Sequence, residues 1–138
     1  MKLILLRPNR PDLPALFKLI KRAFNGVTDA KVEFEFCREA VENKRASFYH
    51  LFDREQGVSL RFVGYVTSEN DYLILAMTGK GLLKGAPTII DAVKYQGYRS
   101  IKYHTVRSGM CRVLRQFGFV MSHQTDHDSV MTLNLEGV

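Results

Sequence analysis

The chain is short of the residues that staple small folds together. It has two cysteines, Cys37 and Cys111, far apart in sequence. They make neither a disulfide framework nor a paired metal-ligand motif, and they fit a reducing, cytoplasmic setting. No apolar run approaches the roughly 18 residues of a membrane span. The opening run Leu3–Leu6 is four residues long and charge follows at once, so it does not read as a secretory signal. Internal repeats, low-complexity tracts and linkers are missing, and 138 residues suit one domain, residues 1–138, with a real core. With 46% hydrophobic and 25% charged residues, global disorder is excluded.

What the chain does have is positive charge in one place. The net charge is +6 and the pI about 9.5. Between Asp71 and Phe119 there are eight Lys/Arg and two Asp, whereas the other residues hold 12 of each sign. The excess predicts an anionic partner for that segment. The same segment reads as a strand (Tyr72–Met77), a glycine-rich basic loop (Thr78–Gly85) and a helix (Ala86–Tyr95). A second strand (Ser100–Val106) and a short helix capped by Ser108 follow. Strand, glycine loop, helix and strand form a βαβ unit, which brings an anion to a helix N-terminus.

Before this unit, Leu3–Leu6 is of strand length. Asp12 stands as N-cap to a helix whose stripe is Leu13, Leu16, Phe17, Ile20 and Phe24, with Lys18, Lys21 and Arg22 on its solvated face. Asp29–Ala46 predicts a second helix with Val32, Phe36, Ala40 and Val41 inward, although Val32–Phe36 also alternates with period two. Ser47–Phe52 and Val58–Thr67 alternate as strands, and Gly64 marks a bulge or a close approach. A hairpin closes the chain after Phe119. The order β-α-α-β-β-β-α-β-α-β-β predicts an α/β fold: a mixed, mostly antiparallel sheet with one βαβ crossover and helices on both faces.

This order resembles the GNAT (Gcn5-related N-acetyltransferase) superfamily over essentially the full length. The loop Gly79-Lys80-Gly81 is similar to the family's Gln/Arg-x-x-Gly-x-Gly/Ala motif, and Leu114-Arg115-Gln116-Phe117-Gly118-Phe119 to its Tyr-x-x-x-Gly-Phe ending. The resemblance implies an acyl-coenzyme A cofactor (acetyl-CoA) and an amine acceptor. Met77, Gly79, Lys80 and Gly81 would hold the cofactor, with phosphate-facing amides from Lys84, Gly85 and Ala86 if the loop is shifted. Pro87 would then sit in the first helical turn. Three positions depart from the pattern: Ala76 stands for Gln/Arg, Arg107 for the Asn opening the last helix, and Leu114 for the tyrosine that reprotonates the thiolate. The run from Gly79 to Phe119 also resembles small GNAT-like assembly proteins of T7-like bacteriophages. That implies a virion protein as partner, in host cytoplasm, with a non-catalytic role in virion assembly.

N-acyl transfer needs a base near the acyl carbonyl. His104 is the leading candidate, with Glu69, Asp71 and His50 as others; Ser108, Cys111 or Tyr103 would have to replace the missing tyrosine. His123 and His127 with Asp126 and Asp128 lack a third ligand cluster, so no metal is expected. Arg107, Arg112 and Arg115 with Tyr98, Arg99 and Tyr103 carry no nucleic-acid recognition motif.

Overall fold

The strands form where the apolar period is two and the helices where it is three to four. A computed structural model describes residues 1–126 and 128–136. Its strands are β1 (Lys2–Leu6), β2 (Ala46–Asp53), β3 (Val58–Val66), β4 (Asp71–Lys80), β5 (Ser100–Thr105), β6 (Val120–Gln124) and β7 (Ser129–Asn134). The helices are α1 (Leu13–Ile20), α2 (Ala30–Glu42), α3 (Leu82–Tyr95) and α4 (Ser108–Arg115), and a 3₁₀ turn, Lys21–Phe24, extends α1. The sheet order is β1-β2-β3-β4-β5-β7-β6. Only β4 and β5 run parallel.

The sheet separates two cores. On one face Phe17, Ile20 and Phe24, with Cys37, Ala40 and Val41 of α2, pack on Phe48, Val63 and Ala76. On the other, Ile89 and Val93 of α3 and Cys111 and Leu114 of α4 pack on Leu60, Phe62, Ile74, Ile101 and Met131. The helix α2 corrects one expectation: Val32 and Phe36 point outward, 67% and 40% exposed. The inward stripe is Phe34, Cys37 and Val41, and Phe34 meets Phe17 and Phe24 edge-on. Helical spacing admits either stripe, and the rings already on α1 decide between them. Asp12 also departs from expectation. Its carboxylate makes no capping bond and instead takes Arg10 Nε and Nη2 at 2.8 and 2.9 Å.

Two features of β4 shape the fold. At its start Asp71, with its side chain 2% exposed, accepts from Ser100 Oγ (2.6 Å) and Arg99 Nε (3.0 Å) and lies 3.3 Å from Lys102 Nζ. The Arg99 guanidinium, reinforced by Ser100 and Lys102, holds the Asp71 carboxyl far below the usual carboxylate range despite its burial. Farther on, Val63 of β3 pairs with Ala76 but Gly64 pairs with Ile74, so Leu75 is an extra residue, a β-bulge. Ile74 and Met77 therefore face α3 while Leu75 and Ala76 both face α1 and α2. The parallel pairing of β4 with β5 stops at Ile74–Tyr103. Beyond it the strands fork, and the residues at the fork are Leu75 and His104. Gly64 is both bulge partner and close approach, because a Cβ there would lie 1.8 Å from the Tyr72 hydroxyl.

Two stability measurements test this frame. Breaking a buried pair costs about 3–5 kcal/mol. Arg99 and Lys102 keep 43% and 34% of their side chains in water, so Asp71→Asn is expected to lose about 2–3 kcal/mol in urea unfolding near pH 7. The folded pKa lies below the unfolded value of about 3.9, so this contribution is complete above that pH and fades as pH falls through it. The gap between wild type and variant should narrow below about pH 4; a gap constant down to pH 2 would contradict the assignment. Gly64→Ala should cost about 1–3 kcal/mol by overpacking. In a double-mutant cycle with Tyr72→Ala, the combined cost should be less than the sum.

Candidate functional site

The glycine-rich segment folds more tightly than its composition predicts. The strand β4 continues to Lys80 and α3 starts at Leu82, so the predicted eight-residue loop shrinks to the single residue Gly81. Gly79 has φ +124° and Gly81 φ +88°, conformations that favour glycine. Both also press on β3: a Cβ at Gly79 would lie 2.0 Å from Ser59 O, and one at Gly81 2.7 Å from Gly57 O. Gly85 is a packing glycine in α3, with Leu51 and Leu60 methyls 3.0 Å from where its Cβ would be. This early start corrects the expected amide set. The N–H groups of Lys84 and Gly85 donate to Gly81 O at 3.1 and 2.8 Å, and Ala86 is buried inside the helix. The amides without an intrahelical acceptor are those of Leu82 and Leu83. No side chain caps this end and its first turn holds no acid, so the positive end of the helix is open. Pro87 falls in the second turn, not the first, and leaves the exposed Leu83 carbonyl without its helical donor.

A cleft of about 520 Å³ opens at this junction, and Met77, Gly79, Lys80 and Leu82 line it. It also takes Arg22 from the 3₁₀ turn, Arg61 from β3 and Arg107 from the β5–α4 connection. Among the described residues four cations line the cleft and no carboxylate does. Lys84, Gly85 and Ala86 are not among its lining residues.

A second cavity of about 180 Å³ lies at the fork, lined by Leu75, His104, Phe24, Val27, Glu33 and Asp128. His104 Nδ1 is 3.8 Å from Asp128 Oδ2, with the two side chains 52% and 41% exposed. This cavity and the cationic cleft share the 3₁₀ turn and adjacent stretches of β4, so opposite charges flank the bulge.

Ser108 is elsewhere. It is the first residue of α4, with Arg107 as N-cap and no side-chain capping bond, which corrects its predicted capping role. It lines a hollow with Cys111, Arg112, Arg115, Asp126 and Asp128, and His104 is not among that hollow's lining residues. Leu114 is buried in the core under α4, as is Cys111, and burial pushes the Tyr103 phenol up to about 12. Asp71 is bound up at the closed end of the fork, where Glu69 sits 3.3 Å from Arg99. His50 Nε2 is 3.0 Å from Ser59 Oγ, and its pKa is lowered by burial and then by the charge of Arg61. Among the described residues no group of three or more His, Cys, Asp or Glu could hold a metal, and His127 lies outside them. Sequence reasoning passed over Arg61 and Glu33, weighed Asp128 only as a metal ligand, and placed Arg22 on a solvated face.

No protein-family model and no curated protein sequence matches the chain. Solved structures do. A Bacillus subtilis acetyltransferase in complex with CoA superposes with TM-score 0.67 at 16% identity, over 96% of this chain and 97% of that one. The Escherichia coli ribosomal-protein-S18-alanine N-acetyltransferase gives 0.65 at 15%, over 99% and 96%. Spermidine N-acetyltransferase from Vibrio cholerae, in complex with CoA and spermine, gives 0.63 at 12%, over 96% and 95%. The virion-assembly expectation gains no support from these matches. With its seven-stranded mixed sheet, β4 bulge and β4–β5 fork, the chain has the fold of the GNAT acetyltransferases.

Proposed function

We propose that this protein is an acyl-coenzyme A-dependent N-acetyltransferase acting on a small amine. The observation that carries the reading is the fork after Ile74 and Tyr103, with a cation-lined cleft on one side and a His104–Asp128–Glu33 cavity on the other. The residues present fit the cofactor. Leu82 and Leu83 offer amides at the open end of α3, and Lys80 and Arg107 add charge for a pyrophosphate. Past Ile74, the edge of β4 that faces β5 has no strand partner, so an extended pantetheine arm could pair with it, as Met77 was expected to do.

When bound, acetyl-coenzyme A would supply a thioester, whose sulfur can depart as a thiolate without a strong acid because thiols are far more acidic than alcohols or amines. This softens the loss of a phenol at Leu114. His104, beside Asp128, takes one proton from the acceptor ammonium so that the neutral nitrogen can attack, and the second proton, released as the amide C–N bond forms and the C–S bond breaks, goes to the departing sulfur. Asp128 and Glu33 favour a cationic amine at this end. Phe24 and Val27 give the same cavity an apolar wall.

Isothermal titration with acetyl-coenzyme A tests the reading, and an absence of heat at millimolar ligand would sink it. Lys80→Glu and Arg107→Glu should each weaken binding about tenfold or more, since one charge-assisted contact is worth about 1.5–3 kcal/mol. Gly81→Asp is unsuitable as a probe, because its Cβ would strike Gly57 O and Val58 Cα whether or not a ligand binds. His104→Gln should lower the rate of transfer and leave coenzyme A affinity within about twofold.

A further inference from the structure

The cationic cleft is uneven across the sheet. Val63 and its partner Ala76 lie in the core beneath α1 and α2. The strand period of two puts Arg61 and Ser59, with their partners Thr78 and Lys80, on that same face. Arg22 of the 3₁₀ turn and Asn25 just after it line the same cleft. The helix α3 and its open N-terminus pack on the opposite face.

On the α1/α2 face one group is out of balance. Arg61 Nε is shielded from solvent and has no hydrogen-bond partner, alone among the buried side-chain nitrogens and oxygens of the described residues. A guanidinium N–H left in this way carries the full cost of its lost hydration. Arg22 and Lys80 in the same cleft add repulsion, and among the described residues no lining carboxylate offsets it. His50, the register partner of Arg61 on β2, is already engaged with Ser59.

We infer that Arg61, with Arg22, anchors an anion subsite on the α1/α2 face, and that this subsite holds a carboxylate or phosphate carried by the acceptor amine. The Arg61–Thr78 pair stands three residues along β4 from Leu75, roughly 10 Å at strand rise. The acceptor nitrogen belongs at the Leu75–His104 fork, beside Asp128 and Glu33. An acceptor spanning the two is therefore zwitterionic, an amino-acid-like compound with its amine and its anionic group at opposite ends. A polyamine would place a second ammonium against Arg22 and Arg61. The acceptor assignment rests on the transferase reading; the anion subsite does not.

The test titrates the intact protein with inorganic phosphate and with succinate, alone and in the presence of saturating coenzyme A. Both anions should bind, and should still bind when coenzyme A is present. Arg61→Gln should lose about tenfold or more of that affinity and keep its affinity for acetyl-coenzyme A within about twofold. Arg22→Gln, at an exposed position, should shift phosphate binding in the same direction and serves if Arg61→Gln fails to fold. Anion binding unchanged in both variants overturns the subsite. Anion binding abolished by coenzyme A overturns the acceptor assignment. So does an Arg61→Gln penalty larger for coenzyme A than for dephospho-coenzyme A, because the group held is then the cofactor's own phosphate. If acetyl-coenzyme A does not bind at all, the transferase reading and the acceptor assignment fall together, while the phosphate titration still decides the subsite.

Discussion

A buried carboxylate with three partners sets the geometry of this sheet. Alone, Asp71 could not remain ionised with its side chain 2% exposed. Arg99, just before β5, and Ser100 and Lys102 at its start make it tenable. The same contacts fix Asp71 opposite Ser100, and from that pair the register of the parallel strands is counted. Four pairs later the strands part. The positions of the bulge, of His104 and of the α3 N-terminus all follow from where this closed end is pinned. Parallel pairing is slightly weaker per residue than antiparallel, so an electrostatic tie suits the one parallel junction in the sheet.

Element order was legible in the sequence because each change of period is local: Phe48–His50–Phe52 alternates, and Leu13–Phe17–Ile20 does not. The junction at Gly79–Gly85 was misjudged for a physical reason. Glycine marks both tight turns and close approaches of two backbones, and only the second needs a partner distant in sequence. Gly79 and Gly81 turn the chain and also lie against Ser59 and Gly57, while Gly85 lets a helix settle on the sheet. Three glycines with different causes thus looked like one loop. The inward face of α2 was undecidable for a similar reason, since Phe34 and Phe36 compete and the aromatic rings of α1 and its 3₁₀ turn favour Phe34.

The site was half legible. Lys80 and His104 stood out because they flank a recognisable βαβ unit. Arg61 did not, because alternation along β3 gives its face but not which residues of β4 and the 3₁₀ turn meet it there. Leu75 inserts one residue into β4, and an inserted residue reverses which face every later side chain takes. The charge argument was incomplete in the same way. Concentration of the net charge between Asp71 and Phe119 pointed to Lys80 and Arg107, yet Arg22 and Arg61 lie outside that segment and reach the cleft through folding alone.

The division of the interior into two cores has a consequence for how such a chain can diversify. Phe48 and Val63 contribute to one hydrophobic layer and Leu51 and Phe62 to the other, with the hydrogen-bonded sheet between them. Substitutions that share no packing neighbours add nearly independently. The layer beneath α1 and α2, which supports Arg22 and Arg61, can therefore drift in shape without disturbing the packing of α3 on the far side. A lineage could remodel what one face recognises while inheriting the other face unchanged.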